Sequence, residues 1–274
     1  MMSFRNSVTR CLFVLLVAGC SGDDTSSTAP APDDGAIGAN AVTDPVKTAA
    51  LVAQAKALVR PGTVIQTDAR FGVPTFLWTR DTVTAPSRAR WLAPGAARPE
   101  VAASRAVLAD YAPLYGLADP DIAAAVVASI HHRRTGPILV KLRTQVGGIE
   151  IFGEELNVIL NRKLEGVAIS GYLTSPTTPP ATPGGLAFQL AAPAAAAAAV
   201  TDLAKFRVDG SLVVPAGSRD GYDYFTLSAA AGVALDEPMR MKQVFFHLPG
   251  GLEAAYYVEV LARTGAAPID ILAA

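Results

Sequence analysis

Four short runs rich in β-branched and aliphatic residues follow one another between Gly136 and Leu173, with glycines between them. The runs cover residues 138–146, 149–152, 156–160 and 167–173, and the breaks contain Gly147-Gly148, Gly153 and Glu165-Gly166. Glycine-containing breaks of this length favour tight hairpin turns, and hairpin turns set the register of the paired strands. This part of the chain is therefore predicted to form an antiparallel meander.

Further helix and strand signals lie on the N-terminal side of the meander. Pro45 and Pro99 can open helices over residues 45–60 and 99–111. β-rich runs at 63–67, 75–79 and 122–130 predict strands, although the alanines of the last run also suit a helix. The stretch 80–97 has many Pro and Gly residues and little periodicity.

A second set of signals follows a Thr-, Pro- and Gly-rich segment, residues 174–185, where we place a domain boundary. Pro193 can open an alanine-rich helix to about Phe206, whose small residues suit close packing on a sheet. β-rich runs then cover residues 212–214, 222–227, 241–248 and 254–261. The predicted class is α+β, with antiparallel sheets each packed with helices, in two small domains over 43–175 and 186–274.

The N-terminus predicts export. Arg5 and Arg10 precede an apolar run over residues 11–18 that is too short to span a bilayer, as in a signal peptide. Small residues lead up to Cys20 as in a bacterial lipobox, so we predict a signal peptide over 1–19, lipidation of Cys20 and a flexible tether over 20–42. The alternative is an ordinary secretory signal with Cys20 incidental. The expected location is the cell envelope, periplasmic or at the cell surface, with the lipid anchor as the only membrane attachment.

Charge and cysteine content argue against nucleic-acid binding and against sites built from cysteine. Loss of Arg5 and Arg10 with the signal leaves 21 basic and 24 acidic side chains, a net charge of −3, which argues against a nucleic-acid partner. Cys11 and Cys20 are the only cysteines, so the predicted domains have no disulfide and no thiolate metal site.

One motif of the meander has a recognisable order: a Gln, a Gly three residues on, a hydrophobic-x-hydrophobic pair and an aromatic-Gly. These positions are Gln145, Gly148, Ile149, Ile151, Phe152 and Gly153. The motif resembles the core of the fungalysin/thermolysin propeptide (FTP) family. Gly166 fits the family's next glycine turn, where Glu165 replaces the usual Asp. Residues 71–78 and 108–117 look like the N-terminal part of fungalysin-type prosequences, and residues 193–261 look like the PepSY-type domain that follows FTP in them.

The resemblance implies a propeptide, a domain that assists the folding of a secreted thermolysin-like or fungalysin-like metalloprotease and covers its cleft. The sequence contains no His-Glu-x-x-His, the spacing that places two zinc ligands on one helical face. We therefore expect no catalytic residue, metal or cofactor, and a role as chaperone or inhibitor in trans. Two alternatives stay open: a propeptide remnant of a truncated precursor, and an envelope lipoprotein that reuses the fold for other binding.

Two groups of polar residues resemble chemical sites but lack the arrangement that such sites need. His131-His132 precede Arg133-Arg134, whose charges disfavour a bound cation. Glu154 and Glu155 are adjacent, so on a strand they point to opposite faces and cannot share a proton. We expect both glutamates to lie in a solvated turn.

Overall fold

The computed structural model describes residues 11–16, 53, 58–59, 65–92 and 98–263. The chain divides into two compact units, one of Gly35–Pro179 and one of Met1–Asp34 with Pro180–Ala274. Within the predicted signal peptide the structure describes strand β1 (Cys11–Leu16) alone. Cys20, the predicted tether and most of the predicted helix over 45–60 lie outside the described residues.

The unit Gly35–Pro179 contains one six-stranded antiparallel sheet in the order β2-β3-β9-β8-β5-β4, and a separate β6–β7 hairpin. Its elements are β2 (Gln66–Thr67), β3 (Pro74–Trp78), α1 (Ala85–Trp91), α2 (Pro99–Tyr115), α3 (Asp119–Ala124), β4 (Val126–His132), β5 (Ile138–Arg143), β6 (Gln145–Val146), β7 (Ile149–Glu150), β8 (Leu156–Leu160) and β9 (Gly166–Gly171). We call it the first unit.

Helix α2 covers one face of this sheet and contacts β5, β8 and β9. It begins at Pro99, where the missing N–H costs no helical bond, and ends at Gly116, whose φ is +64°. Leu108 and Leu114 of the helix are fully buried, and so are the alternate residues Ile138, Val140 and Leu142 of β5. Strand alternation and helix packing therefore build the core of the first unit.

Helix α1 corrects the sequence analysis, which found little periodicity in residues 80–97. Thr84 precedes the helix, and its own side chain makes no capping bond to it. Instead Asp110 of α2 accepts hydrogen bonds from the backbone N–H of Thr84 at 2.8 Å and from the Thr84 hydroxyl at 2.5 Å. The carboxylate that stabilises this helix start is remote in sequence, so the local pattern gave no signal.

Two other boundaries also differ from the predictions. Helix α2 continues beyond Tyr111 through Pro113 to Tyr115, because burial of Leu114 and Tyr115 offsets the hydrogen bond that proline cannot make. The predicted strand over 122–130 is split into α3 and β4. Asp121 accepts from the Ala118 N–H at 2.8 Å at the start of α3, a capping signal that the strand interpretation passed over.

The other unit has a five-stranded antiparallel sheet in the order β1-β14-β13-β11-β10, and we call it the second unit. Its further elements are α4 (Ala192–Ala204), β10 (Val213–Arg219), β11 (Tyr222–Leu227), β12 (Ala234–Leu235), β13 (Met239–Leu248), β14 (Gly251–Val260) and β15 (Ala262–Arg263), with β12 and β15 paired to each other. Helix α4 contacts β10 and β14. Its residues Ala195, Ala196, Ala197 and Ala199 are buried, as close packing of a small-residue helix requires. Antiparallel sheets packed with helices confirm the predicted α+β class.

Candidate functional site

The family-like motif begins in the β6–β7 hairpin. Val146 pairs with Ile149, which leaves Gly147 and Gly148 as a two-residue loop. Their φ angles are +58° and +86°. Positive φ at both loop positions defines a type I′ turn, the connection that matches the twist of paired strands. Gly148 therefore supplies backbone geometry, while Gln145 at the start of the hairpin is exposed.

The rest of the motif is also architectural. Ile151 is buried, Phe152 is half-buried, and Gly153 has a φ of +73° just before β8. Gly166 lies on β9, where a Cβ atom would stand 2.8 Å from Thr79 Oγ1 and 3.0 Å from a methyl of Val107 on α2. Gly166 thus allows the helix to approach the sheet. The motif residues shape turns and packing, and they do not converge on one chemical group.

Glu154 corrects the expectation of a solvated turn. Its side chain is buried, and its carboxylate accepts from the Thr174 N–H at 2.9 Å and from the Thr174 hydroxyl at 2.8 Å. Glu155 is half-buried and points to other partners. A buried carboxylate needs such hydrogen bonds, so Glu154 ties the chain after β9 to the start of β8.

Glu155 belongs to an ion-pair network at one end of the sheet. Lys141 and Arg143 of β5 both pair with its carboxylate, and Arg143 also reaches Glu150 at 3.3 Å. Burial alone would raise the pKa of Glu155, but the hydrogen bonds from Lys141 and Arg143 outweigh it and lower the pKa below its ordinary value. Glu155 and Glu150 therefore neutralise the charges of Lys141 and Arg143.

The face of the six-stranded sheet opposite to α2 carries a continuous row of side chains from four adjacent strand pairs. Trp78 pairs with Ala168, Ala168 with Ile159, Ile159 with Leu139, and Leu139 with His131. Trp78 is 46% exposed, His131 is exposed, Ile159 and Leu139 are half-exposed, and Ala168 is buried. We call this surface the open face.

A second row lies beside the first on the open face. Phe76 pairs with Ser170, Ser170 with Asn157, Asn157 with Lys141, and Lys141 with Ser129. The Phe76 ring packs edge-to-face on the Trp78 ring, with centroids 5.3 Å apart and planes at 87°. An edge-to-face pair holds both rings in place, so the open face presents an ordered aromatic end and a polar end.

Phe76 and Trp78 were not among the residues predicted from the sequence to be functional. The available signal was alternation within β3, where buried Leu77 stands between two aromatic residues. Alternation predicts that both aromatics share the face away from the core. It does not reveal that Ala168, Ile159 and Leu139 continue the row, because that depends on the pairing of distant strands.

The described residues show no arrangement suited to metal chemistry. Within residues 11–16, 53, 58–59, 65–92 and 98–263, no group of three His, Cys, Asp or Glu side chains could hold a metal ion. His131 and His132 are exposed on β4, and His247 is half-exposed on β13. Over the same described part of the chain, no helix is long and apolar enough to cross a membrane.

Comparison with known proteins leaves the family resemblance as an expectation from the motif. No protein-family model and no curated protein matches this sequence.

Proposed function

We propose that this protein is a non-catalytic, lipid-anchored protein of the bacterial cell envelope that binds a secreted metalloprotease in the manner of a prodomain. The partner is a thermolysin-like or fungalysin-like enzyme, as the motif resemblance implies, and the chemistry belongs to that enzyme. The observation that carries the binding role is the open face, where Trp78 is 46% exposed beside Phe76. An ordered, exposed tryptophan is a characteristic anchor of protein interfaces.

The physical basis of the proposed binding is burial of this aromatic end. Tryptophan and tyrosine dominate binding energy at interfaces because they bury a large area at a small cost in conformational entropy. The contact between Phe76 and Trp78 restricts both side chains before any partner arrives. A partner that binds the open face in one of its own conformations stabilises that conformation by mass action, which is how a prodomain acts on a folding or latent protease.

Two features of the first unit support the assignment to a prodomain. The motif glycines Gly148 and Gly153 occupy positive-φ positions, so their place in the sequence has a backbone reason. The motif also lies directly before β8, a central strand of the sheet that bears the open face. Both observations agree with the resemblance and are independent of any partner.

The test is inhibition of a purified thermolysin-like protease by residues 21–274. We expect slow or tight inhibition of peptide hydrolysis and a loss of roughly 2 kcal/mol or more of binding free energy in Trp78→Ala, the scale of an interface hot spot. Phe206→Ala is the matched control, because Phe206 is 45% exposed and belongs to the second unit. That variant should inhibit like the unchanged protein.

A second readout locates the contact. The chain has two tryptophans, so Trp91→Phe leaves Trp78 as the only tryptophan and its fluorescence should shift to the blue when the protease binds. Equal inhibition by Trp78→Ala and Phe206→Ala, without a fluorescence shift, would remove the open face from the proposal. Absence of binding to thermolysin-like and fungalysin-like enzymes alike would overturn the proposal that the partner is a metalloprotease.

A further inference from the structure

Tyrosine rings and basic side chains lie together on the sheet of the second unit, on the face opposite to α4. Met239, Met241 and Val258 point toward the α4 side and are buried in its core. Their strand neighbours therefore point the other way. We call this side of the sheet the cation–tyrosine face, and its residues are Arg219, Tyr222, Tyr224, Arg240, Lys242 and Tyr257. Arg219 is exposed, Tyr257 is buried, and the other four are half-exposed.

Each cation of this face lies over an aromatic ring. The Arg219 guanidinium is 4.0 Å from the centre of the Tyr224 ring. Arg240 and Lys242 both lie 4.9 Å from the centre of Tyr222, and Lys242 also lies 5.5 Å from that of Tyr257. Cation–π contacts of this length hold flexible basic side chains in defined positions. The cations are thus arranged before a ligand binds.

The face has an excess of positive charge. Its strands place two carboxylates on this side of the sheet. Glu259 accepts from Arg240 Nη2 at 2.7 Å and from the Tyr257 hydroxyl at 2.5 Å, and the buried Glu253 accepts from the Thr182 hydroxyl at 2.9 Å. Arg219 is exposed, and no carboxylate pairs with it among the residues that the structure describes. Three cations against two carboxylates leave one positive charge in excess and favour an anionic partner, although the whole chain carries a net charge of −1.

We propose that the cation–tyrosine face binds a carboxylate-rich segment of a partner protein, with Arg219 as its principal anchor. A guanidinium stacked on a ring keeps its N–H edge available for bidentate contact with a carboxylate. Tyrosine and arginine are the residues that protein interfaces prefer. Binding to anionic lipid relies on clusters of about four to eight Lys and Arg residues, more than this face offers. The inference stands whether or not the open face binds a protease.

The test measures binding of a fluorescein-labelled twelve-residue peptide of alternating Glu and Ser to the full chain by fluorescence anisotropy. The full chain is used because β1 pairs with β14 of this sheet. The same peptide with Gln in place of Glu controls for charge. We expect binding of the Glu peptide alone, and at least a tenfold loss of affinity in Arg219→Ser. Arg219→Lys should also lose affinity, because lysine keeps the charge but lacks the planar fork.

The matched control is Arg134→Ser, which removes one exposed arginine from the first unit and should leave affinity unchanged. Equal losses in Arg219→Ser and Arg134→Ser would show a diffuse charge effect and overturn the assignment of the site. Failure to bind the Glu peptide would overturn it as well. Tighter binding to a dT12 oligonucleotide, or to phosphatidylglycerol vesicles, would replace the carboxylate partner with a phosphate one.

Discussion

The two units have the same architecture but differ in the residues on both faces of the sheet. Each has an antiparallel sheet with one principal helix on a single face. In the first unit the helix brings leucines and tyrosines to the core, and the opposite face has an aromatic end and a polar end. In the second unit the helix brings alanines, and the opposite face is cationic and tyrosine-rich. The inner faces thus differ in how closely the helix packs, and the outer faces differ in the side chains they present.

The cores should respond in opposite ways to a change in side-chain volume. Leu108→Ala in α2 deletes a fully buried side chain and is expected to cost about 2–5 kcal/mol of unfolding free energy. In α4 the damaging change is insertion: Ala196→Leu is expected to cost about 1–3 kcal/mol, because the fully buried Ala196 has no room for three more carbons. Urea denaturation followed by circular dichroism measures both.

Ala198→Leu provides the control for the second unit, since Ala198 is half-exposed on the same helix. It should change stability little. If Ala196→Leu were tolerated as well as Ala198→Leu, the view that α4 packs closely because it is made of alanine would be wrong.

The tight turns are a feature that the two units share. Gly147-Gly148 forms the loop of the β6–β7 hairpin, and Asp220-Gly221 forms the loop between β10 and β11, with φ of +54° and +77°. Gly148→Val and Gly221→Val should each cost roughly 1–3 kcal/mol, because valine is strained at positive φ. No atom lies within 4 Å of an added Cβ at either glycine, so the cost comes from the backbone alone.

Asparagine tests that explanation, because it tolerates the left-handed conformation better than valine. Gly148→Asn should melt closer to the unchanged protein than Gly148→Val does. Equal melting temperatures for the two variants would point to a cause other than backbone conformation.

The sequence pattern predicted those elements whose structure depends on residues close together in the chain. Strand β8 was predicted with its observed bounds, because Leu156, Val158 and Leu160 alternate with less buried residues. The alanine run of α4 was also assigned correctly, since small residues at helical positions have a packing reason. In these two segments the residues of the element itself are enough to predict whether it is a strand or a helix.

The remaining features depend on contacts between distant residues. Helix α1 starts where Asp110 reaches Thr84 from another helix. Glu154 is buried because Thr174 satisfies its carboxylate. The open face and the cation–tyrosine face both arise from strand register, which places Trp78 opposite Ala168 and Tyr224 opposite Arg240. Alternation assigns a residue to a face but cannot show which strands lie side by side.

The smallest predicted effect concerns pH and the ion-pair network of the first unit. In the first unit Lys141 and Arg143 lower the pKa of Glu155 below its ordinary value of 4.5. A carboxylate with a lowered pKa adds stability that is fully present above pH 4.5 and is lost as the pH falls through the folded-state pKa.

Glu155→Gln should therefore be less stable than the unchanged protein near pH 7, by about 0.2–1 kcal/mol, the usual range for a partly exposed pair. The difference should shrink below pH 4.5. Urea denaturation curves at pH 7 and pH 3.5 measure this, with Glu237→Gln, at an exposed position of the second unit, as the control for removal of one glutamate charge. A Glu155→Gln deficit of equal size at both pH values would mean that packing of the side chain, rather than its charge, is what the sheet uses.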